Sequence, residues 1–277
     1  MLFDRCSEPA ARESVAIIGR IRLEDIEMIR QLVRKKRRHV IIDCDTQKDF
    51  FLANGGACIR NHRRVVGRIR RIMAWARSNH IPVISTCEIH ADNGNGNGNG
   101  VTYCIDGTEG QKKLRYTLLS NRVKYPADGN TDLPTDLLQR YAQVVLHKRC
   151  VDPFDEPRID RLLSEIRADE FILIGATAEG AVKATALGLL QRGKRVTVVV
   201  DAVGIHDKKD AKMALRKLEA KGARLVETKK LAGVSHLRRV GVCGCASCRG
   251  RVKGGEHIEL EAEIHVPSGL RGGARAV

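Results

Sequence analysis

Residues 171–204 have the pattern of a strand, a tight turn, a helix and a second strand. Four small residues at 175–178 follow an apolar run and let the backbone turn sharply into the helix. Gly193 ends that helix, and the β-branched run 196–200 is typical of a strand buried on both faces of a parallel sheet. Because a βαβ unit has its ligand site at the carboxyl ends of its strands, we expect chemistry at 175–181.

The alternation of strands and helices extends over most of the chain. Further strands are predicted at 39–45, 82–86, 143–148 and 223–228, and helices at 23–36, 59–79, 156–167 and 208–221. Five or six such strands predict a three-layer α/β/α fold around a doubly wound, mostly parallel sheet. We divide the chain into an N-terminal extension with a helix at 1–37, the α/β domain at 38–228, and a basic tail rich in cysteine and glycine at 229–277.

Composition favours a cytoplasmic protein. No apolar run approaches the length of a membrane span, and the first residues are too charged for a secretory signal. The nine cysteines are odd in number, and their spacing does not suggest a disulfide framework, which fits a reducing compartment. Alternating Asn and Gly at 93–100 cannot pack, so we interpret this segment as a mobile insertion beside the site.

The net charge of +16 raises the question of an anionic partner. Basic residues concentrate at 34–38 and 60–77, without the interleaved aromatic residues of a single-strand stacking surface. The arginines of 60–77 resemble the solvated face of an amphipathic helix. A nucleic-acid partner is therefore not expected, nor is a membrane, and a small molecule is the expected ligand.

Two charged residues stand at the ends of predicted buried strands. Asp45 ends the strand 39–45, where an acid can cap a helix, pair with a lysine or act in chemistry. Lys148 ends the strand 143–148, and a lysine in that place needs an anion opposite it. That anion is either an acid such as Asp45 or a group of the substrate.

Five sequence blocks, taken in order, resemble the isochorismatase-like cysteine hydrolase family over roughly 38–228. The blocks are DTQKDF at 45–50, TCEIH at 86–90, CIDGTEG at 104–110, Lys148 with Phe154 after it, and GATAEGAVKATA at 175–186. In that family an Asp, a Lys and a Cys form the catalytic triad. The resemblance assigns the Asp and Lys positions to Asp45 and Lys148, and the Cys position to Ala181.

The same resemblance supplies a set of substrate-binding residues. They are Phe50, Glu88, Phe154, Thr177 and Ala178. Glu88 and His90 also resemble two of the three metal ligands of the nicotinamidase branch. The third ligand of that branch is a His, and this chain has Tyr103 at that position. We expect no cofactor, because two remaining ligands make a weak metal site.

Alanine at 181 excludes a thiolate nucleophile, so amide hydrolysis through a thioester is not expected. Cys150 is a conceivable substitute, although a small residue packed beside a strand end is the simpler interpretation. Isochorismatases proper carry Gly at the position of Ala181 and cleave a vinyl ether, with the Asp donating a proton to the enol carbon. They also carry Gln at the position of Glu88, which weakens the parallel. An engineered Cys to Ala change at 181 remains a further alternative.

Two functional hypotheses follow from these residues. In the first, the protein is a hydrolase that uses Asp45 and Lys148 on a small anionic molecule without a cysteine nucleophile. In the second, it is an inactive family member that binds a small ligand or a protein partner. Association into a homo-oligomer fits either function, because many family members associate.

The C-terminal tail contains a compact group of cysteines at Cys243, Cys245 and Cys248, with His236 and His257 nearby. Three thiols with one histidine could hold a zinc ion, but the spacing of a zinc ribbon is lacking. The alternative is a glycine-rich, basic, mostly flexible tail.

Overall fold

The computed structural model describes residues 37–91 and 101–232. Within this part of the chain, seven strands form one sheet in the order β3-β4-β2-β1-β5-β6-β7, and every neighbouring pair is parallel. The strands are β1 Arg37–Cys44, β2 Val83–Glu88, β3 Arg122–Tyr125, β4 Gln143–Lys148, β5 Ala168–Gly175, β6 Val196–Val203 and β7 Arg224–Val226.

Helices cover both faces of the sheet. The α-helices are α1 Lys48–Phe51, α2 His62–Ser78, α3 Leu137–Arg140, α4 Pro157–Glu165, α5 Ala181–Gln191, α6 Lys208–Ala220 and α7 Thr228–Ala232, with 3₁₀ turns at Arg115–Thr117 and Pro153–Asp155. The apolar sides of α4, α5 and α6 share one core with the sheet, and those of α2 and α7 share the other. None of the described helices is both long and apolar enough to span a membrane.

β1 lies at the centre of the sheet because its side chains are apolar in both directions. Val40 and Ile42 pack into the core beneath α5, whereas Ile41 packs into the core beneath α2. All three are fully buried. Such a run suits a strand with helices on both faces.

The predicted three-layer, doubly wound α/β fold is confirmed, but the strand count of five or six was too low. The missed strand is β3, a four-residue edge strand with the sequence RVKY. Its side chains alternate between exposed and half-buried, so it lacks the apolar run by which the other strands were found. The sheet is also parallel throughout, rather than mostly so. The predicted helix at 23–36, the Asn-Gly segment 93–100 and the cysteine-rich tail beyond residue 232 lie outside the described residues.

The direction of winding reverses between β1 and β5. From β1 the chain moves outward through β2, and it later returns to place β5 on the other side of β1. Ligands of open α/β sheets bind at such a switch point, outside the carboxyl ends of the strands. Here those ends lead directly into Asp45 and into the turn that begins at Gly175.

Gly175 allows β5 to pass close to β1 at the switch point. Its φ is +113°, and a Cβ at this position would lie 1.9 Å from the carbonyl oxygen of Cys44. We expect Gly175→Ala to lower the free energy of unfolding by about 3 kcal/mol, because backbone strain and a backbone clash act together. Chemical denaturation measures this loss.

Gly193 offers a matched control for that substitution. It also has a positive φ, of +67°, but a Cβ there would meet no atom within 4 Å. Gly193→Ala should cost only about 1 kcal/mol, which is the left-handed conformation alone. Equal losses at the two positions would show that the close approach to Cys44 is not what requires glycine.

Candidate active site

The carboxyl ends of four adjacent strands supply the candidate site. Asp45 follows β1, while Glu88 and Lys148 are the last residues of β2 and β4. Ala181 is the first residue of α5, after the turn that leaves β5. Because β4, β2, β1 and β5 are neighbours in the sheet, these four positions share one edge.

Lys148 forms the centre of a buried charged cluster. Its Nζ lies 2.9 Å from Oδ2 of Asp45 and 3.3 Å from Oε2 of Glu88. It also donates a hydrogen bond of 2.9 Å to the carbonyl oxygen of Cys150. Asp45 and Lys148 are fully buried, and Glu88 is 3% exposed. We call Asp45, Glu88 and Lys148 the buried trio.

The charge of Lys148 is stabilised by its two acidic neighbours. Burial by itself lowers the pKa of a lysine, because the low-polarity interior disfavours the ammonium ion. The negative charges of Asp45 and Glu88 outweigh that effect, so the pKa of Lys148 is raised above its ordinary value. Lys148 is therefore a fixed cation at neutral pH and not a proton donor.

Thr86 fixes the orientation of Asp45. The Thr86 hydroxyl donates to Oδ1 of Asp45 over 2.6 Å, and the backbone N–H of Asp45 donates to Oγ1 of Thr86 over 3.3 Å. The remaining oxygen, Oδ2, faces Lys148. Sequence reasoning gave Thr86 no role. The signal that could have done so is a hydroxyl near the end of the strand that neighbours the strand of Asp45.

Gln47 holds the backbone of Glu88 in place. Its Nε2 donates to the carbonyl oxygen of Glu88 over 2.7 Å, and its Oε1 accepts from the N–H of Glu88 over 2.8 Å. Gln47 is fully buried. This two-point clamp sets where the Glu88 carboxylate begins, and no periodic pattern in the sequence reports it.

Both carboxylate oxygens of Glu88 have polar partners within the protein. Its Oε1 lies 2.9 Å from Nε2 of His90 and accepts from the Tyr103 hydroxyl over 3.3 Å, while Oε2 faces Lys148. Both carboxylate oxygens are thus already engaged by donors. Among the described residues, no group of three or more His, Cys, Asp or Glu side chains is arranged to hold a metal ion. No step of the chemistry below uses a metal.

Aromatic rings border the trio on the side of Glu88. Tyr103 meets the ring of His90 edge-on, with the centroids 5.1 Å apart, and it meets Phe50 at 5.4 Å. Phe50 also lies 6.2 Å from the ring of His206. Of the predicted substrate-binding residues, Phe50 therefore lies near the trio, through its contact with Tyr103.

The turn from β5 into α5 brings position 181 to the same edge. The carbonyl oxygen of Thr177 accepts from the N–H groups of Gly180 and Val182, which closes the turn. A Cβ at Gly180 would lie 3.7 Å from Cγ1 of Val151, so the start of α5 faces the segment after Lys148. Ala181 is 4% exposed. Its methyl group stands where the sequence resemblance places a cysteine.

Two of the predicted substrate-binding side chains pack with the core beneath α5. Ala178 is fully buried in the core beneath α5. The ring of Phe154 is so close to Gly188 that a Cβ there would lie 2.0 Å from its Cε2, and Arg192 lies 3.9 Å above the ring. Gly188 is about two helical turns from Ala181. Phe154 therefore packs against α5, and its contact with a substrate stays a prediction.

Two cysteines lie near the trio, and Cys44 is not suited to replace the missing thiol. Cys44 precedes Asp45, and burial together with the charge of Asp45 raises its pKa to about 12. Its Sγ points to Thr185, 3.7 Å away, inside the core. Cys150 is exposed, and it contributes its carbonyl oxygen to Lys148. A buried neutral thiol is a poor nucleophile.

The fold and site define a three-layer α/β protein with an acid and amine cluster at the switch point of its sheet. A family model described as an isochorismatase domain matches residues 39–230. Since that match covers more than half of the chain, the protein belongs to the isochorismatase family, a family of hydrolases. No curated protein sequence matches the chain.

Solved structures share this fold. An isochorismatase family protein from Desulfovibrio vulgaris subsp. vulgaris str. Hildenborough is 22% identical with a TM-score of 0.56, covering 72% of this chain and 99% of that one. A nicotinamidase from Bacillus subtilis is 19% identical with a TM-score of 0.55, covering 69% and 99%. An N-carbamoylsarcosine amidase from Thermoplasma acidophilum is 20% identical with a TM-score of 0.53, covering 69% and 96%. At sequence identities this low, the structural similarity establishes a common fold and nothing more.

Proposed function

We propose that this protein is a hydrolase that acts on a small anionic molecule by acid-base chemistry, without a cysteine nucleophile. One observation carries the proposal: Asp45 and Lys148 are kept together, fully buried and 2.9 Å apart, while position 181 bears only a methyl group. A buried ion pair is costly because both charges lose their hydration. Its retention beside a lost nucleophile supports a chemical use that does not need sulfur.

The charge balance of the trio favours proton transfer. Two carboxylates face one ammonium group, so the fully ionised trio carries one excess negative charge in a site that excludes water. Bringing one proton into the site would balance that charge. An acid that holds a proton in the site is what protonation of a substrate carbon or leaving oxygen requires.

The proposed reaction is the cleavage of an enol ether. Asp45 donates a proton to the terminal enol carbon, and the electron pair of the carbon–carbon double bond forms the new carbon–hydrogen bond. Water then adds to the resulting oxocarbenium carbon and loses a proton to Asp45. The adduct is a hemiketal, and its collapse breaks the carbon–oxygen bond to the leaving group. The proton of its hydroxyl group passes to the leaving oxygen, so an alcohol and a ketone are released. Lys148 holds the carboxyl group of Asp45 in position throughout.

The trio also restricts how an anionic substrate binds. Lys148 is already paired with two acids, so it has no uncompensated charge to offer a carboxylate of the substrate. The anionic group would therefore bind away from Glu88, with the uncharged enol carbon toward Asp45. A Glu at this position disfavours a dicarboxylate more strongly than the Gln of isochorismatases does.

Turnover of isochorismate and of simpler enol ethers by the purified protein tests the proposal. Asp45→Asn should lower the turnover rate by about a hundredfold, because the amide keeps the shape of the side chain but cannot donate the proton. Product release is followed by chromatography. Turnover no greater than in buffer across the panel, or an Asp45→Asn variant as fast as the unchanged protein, would reject the acid-base mechanism.

Glu170→Gln provides the control. Glu170 lies near the amino end of β5, at the opposite edge of the sheet, and its carboxylate contacts His39, Thr197 and Arg224. This variant also loses ion pairs of a partly buried carboxylate, yet it should retain the turnover rate. A similar loss in both variants would point to a general effect on folding.

A ligand-binding protein without catalysis is the second candidate. The observation that favours it is the internal pairing of the site, in which Lys148, His90 and Tyr103 all contact the carboxylate of Glu88. Efficient turnover that disappears with Lys148→Ala would exclude this candidate. Ligand binding without turnover would support it.

A further inference from the structure

A cavity of about 400 Å³ lies on the face of the sheet that α2 covers. Its size falls in the range of small-molecule sites. The residues of its lining that bear or can acquire a positive charge are Lys48, Lys112, Lys113, Arg115, Lys124 and His147. No acidic residue is part of the lining among the described residues. We call this cavity the basic pocket.

The basic pocket is separate from the buried trio. Cys87 of β2 and His147 of β4 line it, and each is the immediate neighbour of a trio residue, Glu88 or Lys148. Adjacent residues of a strand point to opposite faces of the sheet. The pocket therefore lies on the face opposite to Glu88 and Lys148, and the residues that line it do not include Asp45.

Part of the positive charge of the pocket is uncompensated. Glu109 pairs with both Lys48, at 2.6 Å, and Lys112. The buried amine of Lys113 lies 3.0 Å from Oδ2 of Asp43. Among the described residues, these two carboxylates pair with three of the five cationic side chains, and Arg115 and Lys124 are left without an ion pair.

Arg115 and Lys124 are the free cations of the pocket. In the described ranges of the chain, neither side chain forms an ion pair, and both are exposed. The positive surroundings also affect His147, whose pKa is lowered first by burial and then by Lys124, with Asp106 in partial opposition. An anion from solution can therefore bind Arg115 and Lys124 without displacing an existing ion-pair partner.

Gln111 and three apolar side chains make up the rest of the wall. Cys87 and Val145 are buried at the sheet, and Leu118 lies at the side. A ligand complementary to this wall has a compact, multiply charged anionic end and a flat or apolar body. Arginine and lysine side chains bind phosphate oxygens through charge-assisted hydrogen bonds.

We propose that the basic pocket binds a small phosphorylated molecule with an apolar body, of the class of nucleoside di- and triphosphates. The phosphates contact Arg115 and Lys124, with Lys112 at the rim, and the base lies against Leu118 and Val145. Nothing in this binding depends on the hydrolytic reaction proposed for the buried trio.

Calorimetric titration of the full-length protein with ATP, adenosine and inorganic triphosphate tests this site. ATP should bind, adenosine should show no measurable heat, and triphosphate should bind more weakly than ATP because it lacks the apolar body. The double variant Arg115→Gln, Lys124→Gln should bind ATP at least about tenfold more weakly. Raising the salt concentration should weaken ATP binding in the unchanged protein.

A second double variant, Lys212→Gln with Arg216→Gln, removes the same charge from the exposed face of α6 and should leave the ATP affinity unchanged. All four positions are exposed, and a melting curve checks that both variants fold. The site is refuted if the two double variants bind ATP equally, or if adenosine binds as well as ATP. A single-stranded RNA oligonucleotide that binds more tightly than ATP, and loses affinity in the pocket variant, would overturn the small-ligand assignment.

Discussion

Lys148→Ala is expected to lower the free energy of unfolding by about 3–5 kcal/mol, because it leaves two buried carboxylates without their cation. Asp45 is fully buried and Glu88 nearly so, and water cannot replace the lost ammonium group without opening the site. Denaturant unfolding at pH 7 followed by circular dichroism measures the loss. The variant should also have no hydrolytic turnover, since nothing then fixes the position of Asp45.

The pH of that measurement follows from the direction of the pKa shift. The pKa of Lys148 is raised in the folded protein. Its contribution to stability is therefore fully present below the pKa of an unfolded lysine, about 10.4, and is lost only as the pH rises from there toward the folded value. A measurement at pH 7 thus reports the full effect.

Lys113→Ala is the matched comparison, because Lys113 is also a buried lysine paired with a buried acid, but with one carboxylate rather than two. Lys113→Ala should lower the free energy of unfolding by less than Lys148→Ala does. Removing the two acids together with the amine, by Lys148→Met, Asp45→Asn and Glu88→Gln, should restore much of the lost stability. A cost below about 1 kcal/mol for Lys148→Ala, or a triple variant less stable than the single one, would contradict a buried charged cluster.

The sequence predicted the parts of this site that depend on the ends of strands. Asp45 and Lys148 each close an apolar run, and parallel strands end at one edge of the sheet, so the strand ends predicted an acid and a lysine at the same edge. The choice of Asp45 rather than a substrate group as the partner of Lys148 needed the family resemblance. Glu88 came from the family resemblance, and the structure shows what it contacts. The helix α5 was predicted from the spacing of its apolar and small residues, and the strand β4 from its apolar run.

Contacts made through the direction of a side chain could not be predicted in the same way. Phe154 was placed in the pocket by the family resemblance, and no sequence pattern reports that its ring packs against Gly188, where the absence of a Cβ leaves room for it. The clamp by Gln47 and the hydroxyl of Thr86 depend on the relative positions of segments about 41 residues apart. The edge strand β3 was missed because neither of its faces is fully buried.

Ala181→Cys is expected to create a thiol that reacts with iodoacetamide at pH 7 roughly ten to a hundred times faster than the exposed thiol of Cys150. The first residue of α5 lies at the positive end of the helix, beside the segment that follows Lys148, and both features favour a thiolate. Asp45 can accept the thiol proton. Burial and the negative charge of Glu88 act against the thiolate, so the rate reports which influence is larger. Peptide mass spectrometry at several reaction times measures each cysteine separately.

Two further variants separate the effect of the trio from that of the helix end. Val182→Cys places a thiol one residue later, in the core and away from the trio, and it should react more slowly than Cys150. Adding Asp45→Asn to Ala181→Cys should return the rate to that of an ordinary thiol, because the proton acceptor is lost. If Ala181→Cys reacts no faster than Val182→Cys, then position 181 does not face Asp45 and Lys148, and the proposed hydrolytic site loses its geometric basis. A fast reaction that persists in the double variant would assign the activation to the helix end alone.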